Sequence, residues 1–235
     1  MVVTLRRRWK NGNMKALATG LAVGWLSVSC YAQGTFQNLD FESAVIVPIL
    51  GSPPKVEFAP AFPAWVGYFG PDPASQAIFN DLAIGSSFIA LLNSSSPVGG
   101  SISNFTAVLQ GGASSTFPAV SLAQTGTIPD GTMSLHFQAA SFRNSFSVSV
   151  DGQPLSVNLM QNSGSFFNEY GADISGFAGQ NVELRFTQYA GPGQSDNLYL
   201  DNISFSPIGV PEPSTWALLA LGGALFWSAA RRHRK

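Results

Sequence analysis

Ser145-Phe146-Ser147-Val148-Ser149-Val150-Asp151-Gly152-Gln153-Pro154-Leu155-Ser156-Val157-Asn158-Leu159 is the stretch that decides the fold. Polar and apolar residues alternate strictly over 145–150. A period of two puts Phe146, Val148 and Val150 on one face of a strand. Asp151-Gly152 is a favoured two-residue hairpin turn, and Gln153-Pro154 can widen it. Leu155, Val157 and Leu159 then resume the alternation, so the stretch predicts two strands and a turn.

The same period recurs on both sides. Val182, Leu184 and Phe186 form an inward set, with Glu183, Arg185 and Thr187 outward. Met133, Leu135 and Phe137 repeat the pattern upstream, and residues 88–92 and 105–109 read as further strands. Gly, Ser, Pro and Asn interrupt these runs every 8–15 residues or so, the spacing of a sandwich or jelly roll. Between residues 33 and 210 no amphipathic helix of useful length is expected. A short helical turn is predicted near 75–82, started by Asp72-Pro73. Residues 44–74 carry Pro48, Pro53, Pro54, Pro60, Pro63, Pro71 and Pro73, and read as long loops around one or two edge strands. The expected fold is all-β: one β-sandwich, jelly-roll-like, over 33–206.

The ends differ from the middle. Arg6, Arg7, Arg8, Lys10 and Lys15 precede a short apolar stretch, 16–28, and then Ser29-Cys30-Tyr31-Ala32. Basic region, apolar core and small residues before a cut make a secretory signal peptide over 1–32, cleaved after Ala32. Met14 is an alternative start that leaves the same mature protein. Cys30, the only cysteine, then leaves with the leader, so disulfides are excluded. The last 26 residues begin Val210-Pro211-Glu212-Pro213. An uncharged apolar run, 216–230, follows, and then the basic end Arg231, Arg232, His233, Arg234 and Lys235. The run is about 22 Å long as a helix, against roughly 30 Å of hydrocarbon in a bilayer. Ser214, Thr215 and snorkelling arginines close much of that gap, so a transmembrane helix is expected over 214–230. Residues 207–213 form its linker. The basic end 231–235 favours the cytoplasmic side.

Charge follows the same division. Residues 33–210 hold Lys55, Arg143 and Arg185 against twelve acids, a net charge of −9. That sign repels nucleic acid, so no nucleic-acid partner is expected. Calcium and neutral glycans stay open.

With its tripeptide, apolar run and basic end in that order, the tail resembles the PEP-CTERM sorting signal of exported bacterial proteins. The resemblance implies that exosortase, a membrane protease-transpeptidase, recognises Pro211, Glu212 and Pro213 and removes the helix. The chain would be held in the inner membrane as an anchored intermediate, then delivered to the cell surface or outside the cell. It also implies an association with extracellular polysaccharide.

A shorter resemblance concerns the domain. Residues 38–42 (NLDFE), 200–205 (LDNISF) and 170–180 (YGADISGFAGQ) resemble segments of carbohydrate-binding jelly rolls. It implies that 38–42 and 200–205 are first and last strands, neighbours in one sheet. It also implies that Glu42 and Asp201 help to hold a structural calcium. An independent sign is that Leu198 and Leu200 are out of phase with Ile203 and Phe205, which predicts a β-bulge at Asp201-Asn202.

Other chemistry is sparse. His136 is the only histidine of the exported part, placed opposite Leu135 and Phe137. One His and no Cys exclude multi-His zinc sites and Cys/His nucleophiles. No Ser sits in a Gly-x-Ser-x-Gly elbow. Asp72, Asp81, Glu169 and Asp173 could form a glycosidase pair only if the fold joined two of them. Trp65, Tyr68 and Tyr170, with Phe69, Phe166 and Phe167 beside them, are the candidate glycan contacts. The expectation is a non-enzymatic surface or extracellular-matrix protein. A carbohydrate-binding module is the alternative, and a polysaccharide-acting enzyme the second alternative.

Overall fold

Residues 34–210, apart from 84, 144, 163 and 164, are described by a computed structural model. The expected signal peptide, PEP tripeptide, membrane helix and basic end lie outside the described residues.

Alternation in sequence becomes alternation in burial. In Asn181–Gln188 every second residue, Val182, Leu184 and Phe186, is buried. In chain order the strands are β1 (Pro48–Ile49), β2 (Lys55–Glu57), β3 (Val66–Phe69), β4 (Asp72–Pro73) and β5 (Gln76–Phe79). Next come β6 (Phe88–Asn93), β7 (Phe105–Gly111), β8 (Val120–Thr127), β9 (Ser134–Ser141) and β10 (Phe146–Val150). The last five are β11 (Gln153–Pro154), β12 (Val157–Gln161), β13 (Asn168–Asp173), β14 (Asn181–Gln188) and β15 (Asp196–Ser206). They form a nine-stranded sheet, β1-β2-β5-β6-β7-β15-β9-β13-β12, and a six-stranded sheet, β11-β10-β14-β8-β3-β4. Among the described residues only β5–β6 pairs in parallel.

The inner faces meet in one core. Leu91, Leu109, Leu135, Phe137, Leu198 and Leu200 come from the first sheet. Val120, Leu122, Val148, Val150, Leu184 and Phe186 come from the second. Phe137 is central: its ring meets Phe186 edge-on at 5.2 Å and stacks on Tyr170 at 5.6 Å. A smaller cluster covers the outer face of the nine-stranded sheet, with Phe88, Ala90, Leu92, Val108, Phe167 and Tyr199. Strand β6 is therefore buried on both faces, which is why Phe-Ile-Ala-Leu-Leu does not alternate.

The turn forms at Asp151-Gly152, with φ of 47° and 73°, but Gln153-Pro154, read as widening it, is instead the returning strand, with Val150 opposite Gln153. The hairpin is short. After the Leu155 N–H donates to the Val148 carbonyl at 2.9 Å, the chain crosses to the other sheet, where β12 pairs with β13. Pro154 has no N–H with which to extend the ladder. Leu155 and Val157 pack on the core where the chain crosses, and Leu159 is exposed.

Three expectations change. Residues 38–42 are a turn, not a first strand. Asn38 and Phe41 have φ of 49° and 57°, and Phe36, Leu39 and Phe41 are buried in the core. The link to the last strand survives as one hydrogen bond, Ile203 N–H to the Leu39 carbonyl at 3.0 Å. Residues 75–82 hold β5 rather than a helical turn, and Asp72-Pro73 is an edge strand. The one-turn helix lies instead at Phe58–Ala61, where Phe58 stacks on Phe62 at 4.8 Å. Met133 precedes β9 and is exposed, so only Leu135 and Phe137 point inward from that set. The proline-rich stretch does supply the edges: β1–β2 end one sheet and β3–β4 the other.

Candidate functional site

The bulge is where it was expected. The pairing of β15 with β9 slips between Asp201 and Ser204, and Asn202 has φ 49°. The slip turns Asp201 into a fully buried position while Leu200 and Ile203 both reach the core. Three donors meet its carboxylate. The hydroxyls of Ser103 and Thr106 donate to Oδ2 at 2.7 and 2.8 Å, and the Asn202 N–H donates to Oδ1 at 2.7 Å. Burial outweighs these bonds, and the Glu42 charge adds to it, so the Asp201 carboxyl is pushed up to about 6. Glu42 behaves oppositely. Burial works against its charge, but the Phe105 N–H at 3.0 Å and the Asn104 donors hold it below the usual range.

Glu42 and Asp201 are thus brought together. Calcium needs six to eight oxygens. Among the described residues no three His, Cys, Asp or Glu side chains converge. Each oxygen of Asp201 already accepts from a protein donor. Ser103 and Thr106 were not legible in the sequence, because they belong to a different strand and its approach.

His136 lies on the outer face, as alternation required, opposite Gly171 and Ser204 in the ladders. Its Nδ1 is 3.0 Å from Glu169 Oε1 and its Nε2 is 3.0 Å from Ser134 Oγ. This has the connectivity of a Ser-His-acid triad. In a base-activated serine the hydroxyl proton points at the imidazole. Here Ser134 is buried in a regular strand and donates to the Ile208 carbonyl at 2.5 Å. The row instead ties the last described residues to β9, together with the Met133 N–H to Ser206 carbonyl bond at 2.8 Å.

The two acids of β13 do not pair. Glu169 and Asp173 are four residues apart on β13, about 13 Å at the rise of a strand, beyond glycosidase separation. Asp72 belongs to the other sheet, and Asp81 follows β5 on the far side of the nine-stranded sheet from β13.

The aromatic candidates part company. Trp65 is buried among Phe41 and Phe186, and its Nε1–H donates to the Asn38 carbonyl at 2.9 Å. It is a core residue with no face for a sugar. Tyr68 is half-buried under the Arg185 guanidinium, 4.5 Å from its ring centre. Tyr170 is half-buried and spends one face on Phe137 and its edge on Phe146. Phe166 and Phe167 meet Tyr199 and the exposed Phe142 on the outer face of the nine-stranded sheet.

Among the described residues no helix is long and apolar enough to cross a membrane. A search of curated proteins finds no match to the chain. Two solved structures are similar over three-quarters of it. One is an apo-form cyclase from Fischerella sp., 14% identical, covering 74% of this chain and 94% of that one, with TM-score 0.41. The other is the carbohydrate-binding module TmCBM61 in complex with β-1,4-galactotriose, 12% identical, covering 74% and 98%, with TM-score 0.35. Residues 209–235 match the PEP-CTERM protein-sorting motif, which implies an exported protein sorted by exosortase through a membrane-anchored intermediate. This chain therefore carries a PEP-CTERM sorting motif behind a two-sheet β-sandwich.

Proposed function

We propose that the protein is a non-enzymatic component of the cell surface or extracellular matrix. It is exported through the 1–32 leader, held in the inner membrane by 214–230 and released when exosortase acts at Pro211-Glu212-Pro213. Once released, the sandwich associates with extracellular polysaccharide. The observation that carries this reading is the sorting motif at 209–235. Its domain is acidic and free of cysteine, which suits a soluble surface module.

Mass spectrometry of the protein recovered from the culture medium tests the sorting part. The expected mature chain begins at Gln33 and lacks residues 216–235. A chain that keeps Trp216 to Lys235 would establish a permanent anchor instead. Replacing Pro211, Glu212 and Pro213 together by alanine is expected to move the protein from the medium to the membrane fraction.

A further inference from the structure

A groove of about 720 Å³ opens at the end of the sandwich where the chain leaves it. One wall is the crossing from β11 to β12, with Gln153, Ser156 and Asn158. The other is the turn after β13, with Asp173 and Phe177, and Val210 lines the groove as well. Each part follows from local structure. Pro154 ends the hairpin and sends the chain across the edge. The 3-10 turn Ser175–Phe177 begins where the Asp173 carboxylate accepts the Ser175 N–H at 2.8 Å. That bond and the Ser175 hydroxyl hold the Asp173 carboxyl below its usual range. Val210 is seated because Gly171 has no side chain: a Cβ there would lie 3.0 Å from Val210 Cγ2.

The chemistry of the groove is mixed in a specific way. Its apolar lining includes Leu155 and Phe177, both half-buried against the core. Its rim is polar and free. The side chains of Gln153, Ser156 and Asn158 have no hydrogen-bond partner among the described residues. Two amides, a hydroxyl and a carboxylate acceptor lining one groove with an apolar ring suit a ligand with hydroxyls on its rim and C–H groups on its faces. The domain's net charge of −9 disfavours a polyanion. The groove is open rather than enclosed, so the interior of a chain can lie in it.

We infer that this groove holds a segment of a neutral polysaccharide, with Gln153, Asn158 and Asp173 making the hydrogen bonds and Phe177 the stacking contact. The inference rests on the reading that the domain associates with polysaccharide. The ligand would lie beside Val210, one residue before the sorting tripeptide.

Titrating the purified full-length chain with laminarin, β-1,4-galactan and xyloglucan, and with alginate as the anionic contrast, tests this. Isothermal calorimetry is expected to show binding to at least one neutral polymer and none to alginate. Asn158→Ala and Gln153→Ala are expected to weaken it at least ten-fold with unchanged melting temperature. Phe142→Ala, on the outer face of the nine-stranded sheet, is expected to leave it unchanged. Binding that survives both groove variants overturns the groove assignment and leaves the polysaccharide reading standing. Binding to alginate alone overturns the neutral ligand. No binding to any polymer overturns the polysaccharide reading itself.

Discussion

Trp65→Ala is expected to destabilise the sandwich by about 3–5 kcal/mol, the range for a large aromatic removed from a packed core. The ring lies among Phe41 and Phe186, within 5.6 and 6.4 Å of their centres, so no neighbour can move in to refill its volume without losing its own contacts. The substitution also leaves the Asn38 carbonyl without its 2.9 Å donor inside the protein. Trp65→Phe keeps most of the volume and loses one donor, while the Asn38 carbonyl keeps the Phe41 N–H at 3.3 Å, so about 0.5–1.5 kcal/mol is expected there. Urea denaturation of the three proteins checks the order. The fluorescence of the released form offers a second check: with leader and tail gone, Trp65 is the only tryptophan left. Its emission should be blue-shifted and resistant to iodide. A red, quenchable emission, or a loss under 1 kcal/mol, would return Trp65 to the list of surface contacts.

Asp201 carries the second large effect, and its sign is unusual for a carboxylate. Its folded pKa, about 6, lies above the ordinary 3.8. Between those values the folded protein binds a proton that the unfolded chain does not. Stability from this group is therefore fully present below pH 3.8 and lost as pH rises through 6. Two units correspond to about 3 kcal/mol between the extremes. Glu42 and Asp173 act the other way, but at lower pH, since both are held below their ordinary values. Between pH 7 and 5 the Asp201 effect should dominate, with the melting temperature rising as the solution is acidified. Asp201→Asn should abolish that rise and be more stable than the wild type at pH 7. Asp201→Ala should instead cost about 1–3 kcal/mol, because the buried Thr106 hydroxyl and the Asn202 N–H lose their acceptor. A chelator should leave the melting temperature unchanged, since protein donors already satisfy the carboxylate. A drop on chelation that is absent in Asp201→Asn would restore calcium to the bulge.

Much of this molecule is local physics. Val182, Leu184 and Phe186 alternate because a half-buried strand has a period of two, and that period survives any arrangement of sheets. Asp151-Gly152 turns because those residues tolerate positive φ. The bulge at Asp201-Asn202 was legible for the same reason, as a break in phase within one strand. Elements failed where two local states read alike. Leu39 and Phe41 sit on one side in a strand and equally in a buried turn, and only the positive φ of Asn38 and Phe41 separates the two. Residues 75–82 could start a helix by their own chemistry, but β2 and β6 claim β5 from both sides.

The sequence alone settles a chain of alternating strands, an acidic cysteine-free body and a sorting tail, because each depends on neighbours within a few residues. Placement across the chain depends on distant partners. Trp65 and Tyr170 look alike in a proline-rich or polar stretch, yet one ring is sealed in the core and the other is half open. Ser103 meets Asp201 from a different part of the chain, and Gln153 and Asp173 line one groove only because the chain crosses between the sheets after Pro154. Such pairs are chosen by the packing of two sheets, a long-range event that leaves no periodic trace in the residues themselves.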